Sequence, residues 1–276
     1  MSLIYGIHAV AEALKARRVS RLIHVRGAGA RVDALISRAQ EIRIPVDTVD
    51  ARALDKQARG SVHQGVAAEV QPLAAYTIEE VVREATTPPL LVVLDGIEDP
   101  HNVGAILRSA DAVGVSGVIR QARHAARLDG AAAKASAGAV NHVRIVTVVN
   151  IARAIDDLKE MGVWTVGLDA SASEAYDEVD YRVPTAFVLG AEGTGLRRLV
   201  RETCDRLVRI PMAGEVASLN VSVSAGVALF EAARQRRHGS PGKPSATGGG
   251  AGTHRREERA EGRPEATQAD EDGDDQ

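Results

Sequence analysis

Residues 90–115 read LLVVLDGIEDPHNVGAILRSADAVGV, and this stretch decides the fold class. Leu90–Leu94 is a continuous apolar run with β-branched residues at its centre, too short for a helix, so it reads as a strand buried on both faces. A Gly- and Asp-containing turn follows and leads into a helical pattern over Val103–Val113. There Val103, Ile106, Leu107 and Ala110 share one face, and Arg108 points roughly opposite.

The alternation continues downstream. Strands are expected at Gly117–Arg120, Val143–Val148, Val163–Leu168, Ala186–Leu189 and Leu207–Ile210. Helices are expected at Gly130–Gly138, Ile151–Met161, Leu196–Cys204 and Leu219–Arg234. Apolar strands separated by helices imply a parallel sheet covered on each side, so the class is α/β.

Upstream, helical patterns at Ile7–Arg17, Arg31–Ile42 and Ala51–Arg59 alternate with strand patterns at Leu22–Arg26, Val46–Val49 and Gly65–Val70. They make a small α/β module near the lower size for independent folding. Pro72–Pro89 is a connection with an amphipathic turn or two at Thr77–Arg83. Residues 239–276 contain no aromatic residue and no Leu, Ile or Val, so burial there cannot offset chain entropy. The expected organisation is a module at 1–72, a linker at 73–89, a main domain at 90–238 and a disordered, low-complexity acidic tail at 239–276.

The chain has 276 residues, 45% apolar, with a formal net charge of −3. The near-neutral total hides a gradient: residues 1–72 carry 11 basic and 7 acidic side chains, whereas residues 239–276 carry 5 and 9. A uniformly basic nucleic-acid coat is excluded, and a basic N-terminal module is left. No apolar run is long enough to span a bilayer. The start lacks the charge order and long apolar core of a secretory signal. The single cysteine, Cys204, excludes an internal disulfide framework and a thiolate metal cluster, and is expected to pack beside the final strand. No two histidines stand three or four residues apart. A soluble, cytoplasmic protein is expected.

Ligands of an open parallel sheet bind outside the carboxyl ends of its strands, and three such ends carry unusual sequences. They are Asp95–Arg108, the GAEGTG of Gly190–Gly195, and Pro211–Ser222 with the sequence PMAGEVASLNVS. Asn102 stands where an N-cap or near-cap belongs, and Ser218 could cap the last helix. Asn220 is a poor early-helix residue unless its amide has a partner. The glycines of GAEGTG fall in a different order from the dinucleotide fingerprint, and Glu192 within it could orient polar groups. Asp95, Glu98 and Asp99 read either as a carboxylate cluster for metal or acid–base work or as charges favoured at a helix start. Neither a nucleophile elbow, a P-loop nor an HExxH motif is present.

LDGIEDPHNVGAILRSADAVGV, FVLGAEGTGLRRL and IPMAGEVASLNVSVSAGVALFEAARQ resemble, in order and spacing, the three motifs of the SpoU (TrmH-type) RNA ribose 2′-O-methyltransferases. YGIHAVAEAL, RIPV and HQGVAAEV resemble that family's L30e-like RNA-binding module. The resemblance implies a SPOUT-type parallel sheet with a C-terminal deep trefoil knot, a homodimer with its active sites at the subunit interface, and S-adenosyl-L-methionine as cofactor without a metal. It implies catalytic roles for Arg108, Asn102, Glu192, Ser218 and Asn220, and cofactor contacts from Leu189, Gly190, Ile210, Met212 and Leu219. Arg108 would be either the activating base or the stabiliser of a developing alkoxide. The similarity is greatest to members that act on a guanosine ribose of 23S rRNA, naked or in a pre-50S particle. A tRNA or another rRNA ribose, a catalytically silent RNA-binding assembly factor, and an oxidoreductase on a Rossmann sheet are the alternatives. Arg17, Arg18, Arg21, Arg26 and Arg43, with Arg31 and Arg38, suit RNA phosphate contacts.

Overall fold

Two sheets carry the chain. The computed structural model describes residues 2–60, 62–128 and 130–238, all within one compact unit. The expected acidic tail at 239–276 lies outside the described residues.

The N-terminal module comprises β1 (Ser2–Tyr5), α1 (Ile7–Lys15), β2 (Val19–Val25), α2 (Ala30–Glu41), β3 (Val46–Val49), α3 (Ala51–Ala58) and β4 (Val66–Val70). Its sheet has the order β1-β4-β2-β3; β4 runs antiparallel to β1 and β2, and β3 runs parallel to β2. Val10 and Leu14 of α1 and Val32 and Leu35 of α2 cover one face, over Leu22, Val66 and Ala68. Leu54 of α3 packs with Ile23 and Ala67 on the other. Strand β1 goes beyond the expected elements, because four residues ahead of a glycine show no period; pairing with β4 decides their conformation.

The connection is built into the main domain. Thr77 and Glu80 close a capping box on α4 (Ile78–Arg83), whose Ile78 and Val81 are buried. Tyr76 bridges to Val146, and the Arg144 guanidinium sits 5.6 Å from its ring centroid.

The main domain runs β5 (Leu90–Asp95), α5 (Pro100–Val113), β6 (Gly117–Gln121), α6 (Gly130–Ala135), β7 (Ile145–Val148), α7 (Ile151–Glu160), β8 (Trp164–Leu168), β9 (Glu174–Ala175), β10 (Thr185–Gly190), α8 (Arg198–Thr203), β11 (Arg206–Arg209) and α9 (Val221–His238). Its seven strands are ordered β7-β6-β5-β10-β8-β11-β9, every pair parallel. The run at Leu90–Leu94 is apolar at every position because it serves two cores. Leu90, Val92 and Leu94 pack with Ile106 and Leu107 of α5 and Leu229 of α9, while Leu91 and Val93 pack with Ile155 and Leu158 of α7 and Val200 of α8.

The structure moves several expected boundaries. The Gly130–Gly138 helix stops at Ala135, because Ala137 and Gly138 take positive φ of 49° and 96°. The Leu196–Cys204 helix starts at Arg198, and the last helix runs from Val221 to His238. Two-residue β9, pairing with β11, lies below any detectable periodicity.

Candidate active site

Parallel strands put their carboxyl ends on one edge. Gly190 pairs with Asp95 and Leu94 with Arg120, so the chain leaves β10, β5 and β6 side by side. Asp95 is buried (1% exposed) and accepts hydrogen bonds from the backbone N–H of Arg197 at 2.9 Å and from its Nε at 2.6 Å. Arg197 also donates to Gln121 Oε1 at 2.8 Å, so one guanidinium ties the ends of β5 and β6 to the start of α8.

The carboxylate cluster considered at Asp95, Glu98 and Asp99 therefore divides into separate roles. Asp95 is neutralised by Arg197. Asp99 caps α5, accepting from the His101 N–H at 3.0 Å, and that backbone hydrogen bond holds its carboxyl below the usual range. Glu98 faces His124 at 3.5 Å. Among the described residues no three His, Cys, Asp or Glu side chains are placed to hold a metal.

Of the two places open to Asn102, N-cap and near-cap, it takes the second: Asp99 is the N-cap of α5, Pro100 the first helical residue, and Asn102 is buried at the third helical position. The other expected cap is corrected. Ser218 does not cap the last helix. Asn220 takes that place, its Oδ1 accepting from the Ser222 N–H at 2.9 Å and from Ser222 Oγ at 2.6 Å. Its Nδ2 donates to Asn102 Oδ1 at 3.0 Å and to Glu192 Oε1. An amide offers both an acceptor and two donors, so Asn220 can cap α9 and bind both other loops, which a serine hydroxyl could not do.

Behind this junction lies a cavity of about 730 Å³, within the range of small-molecule sites. Leu189, Gly190, Ile210, Met212 and Leu219 all line it, as do Glu192, Ser218 and Asn220. The loop after β10 folds back on itself, with the Gly195 N–H donating to Ala191 O at 2.8 Å. A Cβ at Gly190 would lie 2.2 Å from the Gly195 carbonyl carbon, so only glycine fits.

Sequence reasoning missed part of this wall. Arg201 pairs with Asp169 at 2.6 Å and donates to Ser171 Oγ at 3.0 Å, and all three residues line the cavity. Burial pushes the Asp169 carboxyl up, but Ser171 and Arg201 outweigh it and leave it below the usual range. The signal available was a fourth strand end, the DASAS turn after β8.

Arg108 stands apart from the junction. It is exposed, has no hydrogen bond or ion pair among the described residues, and does not line the cavity. It lies one turn beyond Gly104 on the same face of α5, the face against α6.

In the N-terminal module Arg17, Arg26, Arg31 and Arg43 are exposed and without side-chain partners among the described residues. Three others depart from the expected phosphate role. Arg18 is half-buried and donates to Asn141 Oδ1 and to Gln71 O, pinning the module to the main domain. Arg21 is held between Asp47 and Glu69, and Arg38 pairs with Glu41 at 2.9 Å. Cys204 packs between α8 and β11, donating to Val200 O at 3.2 Å, and burial pushes its thiol up to about 12.

Two family models match in succession: "RNA 2'-O ribose methyltransferase substrate binding" over residues 3–76 and "SpoU rRNA Methylase family" over residues 89–230. A protein of Pseudomonas aeruginosa named 23S rRNA (guanosine-2'-O-)-methyltransferase RlmB is 46% identical over 239 residues, 84% of this chain and 96% of that one. The crystal structure of the SpoU methyltransferase AviRb from Streptomyces viridochromogenes superposes with a TM-score of 0.73 at 27% identity, covering 85% of this chain and 89% of that one. Its complex with AdoMet gives 0.72, covering 86% and 91%. With the motif loops converged as described, these matches make the chain a member of the SpoU rRNA methylase family.

Proposed function

We propose that the protein transfers a methyl group from S-adenosylmethionine to the 2′-hydroxyl of a guanosine ribose in 23S ribosomal RNA, acting as a cytoplasmic homodimer without a metal. The observation that carries this reading is Asn220, whose one side chain joins all three motif loops at the mouth of the 730 Å³ cavity. The cavity suits the cofactor chemically. Leu189, Ile210, Met212 and Leu219 offer apolar surface to an adenine ring, and Asp169, Ser171 and Glu192 offer acceptors to ribose hydroxyls and an ammonium group.

When bound, S-adenosylmethionine supplies an electrophilic methyl carried by a positive sulfur. The ribose oxygen forms the new C–O bond as the S–C bond breaks, and its proton leaves to water. Negative charge grows on that oxygen. A guanidinium, which donates and does not accept, stabilises such charge, and this is the role we assign to Arg108. Ser218 and Asn220 position the ribose or its 3′ phosphate, and Glu192 and Asn102 hold the Asn220 amide in place.

Arg108 reaches this chemistry if a second copy brings it there. Support for such a copy comes from Val216, Val223 and Phe230, large apolar residues exposed on α9 and the segment before it. The reading includes the trefoil knot, supported by the return of Asn220 to Asn102 and Glu192 before α9 packs on α5. It divides the chain into an RNA-binding module at 1–72, a connection at 73–89 and a methyltransferase domain at 90–238, with Arg17, Arg26 and Arg43 as the module's phosphate contacts. Among the described residues no helix is long and apolar enough to cross a membrane.

The test is tritium transfer from labelled S-adenosylmethionine onto separate pools of 23S rRNA, 16S rRNA, tRNA and pre-50S particles, followed by nucleotide mapping. Label on one 23S guanosine ribose, in naked RNA or particle, is the expected result. Label in tRNA or 16S rRNA keeps the chemistry and replaces the substrate. No label with cofactor bound leaves a silent RNA-binding factor.

A further inference from the structure

Several arginines of the main domain are paired with carboxylates. Arg144 pairs with Glu84, Arg182 with Asp180, Arg198 with Glu202 and Arg206 with Glu174. Arg209 and Arg236 are held by backbone carbonyls instead, Arg108, Arg153 and Arg237 stand without a carboxylate partner among the described residues, and three further cations gather in one corner. Arg120, Arg123 and Lys134 have no carboxylate partner among the described residues. Arg123 and Lys134 are exposed, while Arg120 is half-buried with a single long donation, Nε to Gln121 O at 3.5 Å. Burial pushes the Arg120 guanidinium below the usual arginine range, the mark of a cation stripped of water without an anion in return.

The same corner is fixed in place beside the motif loops. Gln121 Nε2 donates to His124 O at 2.9 Å, Ala122 N to Val148 O at 2.8 Å, and Ala126 N to Ile97 O at 3.3 Å. The β6–α6 loop is thereby fastened to the β5–α5 turn, just ahead of Asn102. Helix α6, which carries Lys134, lies against α5 so closely that a Cβ at Gly104 would stand 2.5 Å from Ala135 Cβ. Cations held on a strand end, a tethered loop and a helix around the start of α5 match the repeating charge of a polyanion.

We propose that Arg120, Arg123 and Lys134 form a phosphate-binding strip on the methyltransferase domain itself, gripping the RNA backbone beside the nucleotide to be methylated. The strip rests on the functional reading above and adds a second RNA contact surface to the N-terminal module. It positions the strand; the chemistry stays with Arg108 and the Asn220 junction.

The test uses the full chain with R120A, R123A and K134A singly and combined, R123E as an exposed substitution that leaves the core untouched, and R198A as control. Binding of in vitro transcribed 23S rRNA is followed between about 50 and 200 mM salt, with methyl-transfer kinetics and cofactor calorimetry alongside. Each neutralised cation should lower the slope of log affinity against log salt by about one, and R123E should lower it further. KM for RNA should rise about tenfold or more in the triple variant with kcat and cofactor affinity kept. An unchanged slope in both the triple variant and R123E overturns the strip, as does an equal loss in R198A. A parent protein that binds RNA but transfers no methyl group overturns the functional reading instead, and the slopes still judge the strip.

Discussion

The two sheets of this protein use similar helices and strands and differ in direction. In the N-terminal module β4 runs against β1 and β2, so each edge of the sheet mixes strand starts with strand ends. In the main domain every strand runs the same way, so the loops after β5, β6, β8, β10 and β11 crowd one edge. There they build the cavity, the Asp95–Arg197 clamp and the Asn220 junction. Parallelism concentrates chemistry. The mixed module has no such edge, and what it offers a ligand is dispersed surface charge at Arg17, Arg26, Arg31 and Arg43.

If this contrast is right, damage at the parallel edge should be severe and damage to the module's arginines graded. The largest effect is expected at the clamp. Arg197→Met strands the buried Asp95 carboxylate and should cost about 3–5 kcal/mol in urea unfolding. Asp95→Asn should cost less, because the Arg197 side chain is 57% exposed and can turn to water. Equal losses would mean that the pair is not held by burial of the acid.

Arg108→Ala should lower methyl transfer about 10²–10³-fold with cofactor binding kept, measured by single-turnover transfer and calorimetry. A smaller loss would remove Arg108 from the chemistry. Gly104→Ala should cost about 1–3 kcal/mol, since its Cβ would overlap Ala135 Cβ and sit 2.7 Å from Ala132 O. Replacing Arg17, Arg26 or Arg43 by Ala should each lower the salt slope of RNA binding by about one and leave kcat unchanged. A collapse of kcat in any of them would erase the contrast between the sheets.

The smallest effect should be at Cys204. Burial raises its folded thiol to about 12, above the unfolded value, so the stability it contributes is complete below the unfolded value and is lost as pH rises toward 12. Alkylation at pH 8 should therefore proceed only in denaturant, as followed by mass spectrometry.

Much of the site is legible in the sequence. Strand ends identify themselves by an apolar run followed by glycine and polar residues, and Leu189, Gly190, Ile210, Met212 and Leu219 all reach the cavity those ends predict. Capping is less legible. Asp99, Asn102, Ser218 and Asn220 are all competent cap residues, and which one caps depends on where the chain turns. Asp169 and Ser171 are marked only as one more strand end, and nothing local links them to Arg201, which stands in a helix 30 residues further on. The free arginines cannot be told from the paired ones, since Arg17 and Arg18 are adjacent and only the second meets Asn141.

By itself the sequence determined the α/β class, most helices and strands, the three motif loops and the family. These rest on periodicity, turn chemistry and motif spacing, all local along the chain. Tertiary structure alone decided that β1 is a strand, that Asn220 caps α9 while binding Asn102 and Glu192, and that Arg18 is a pin between modules. Each depends on partners between 28 and 123 residues away, and a contact across that distance leaves no mark on the local pattern at either end.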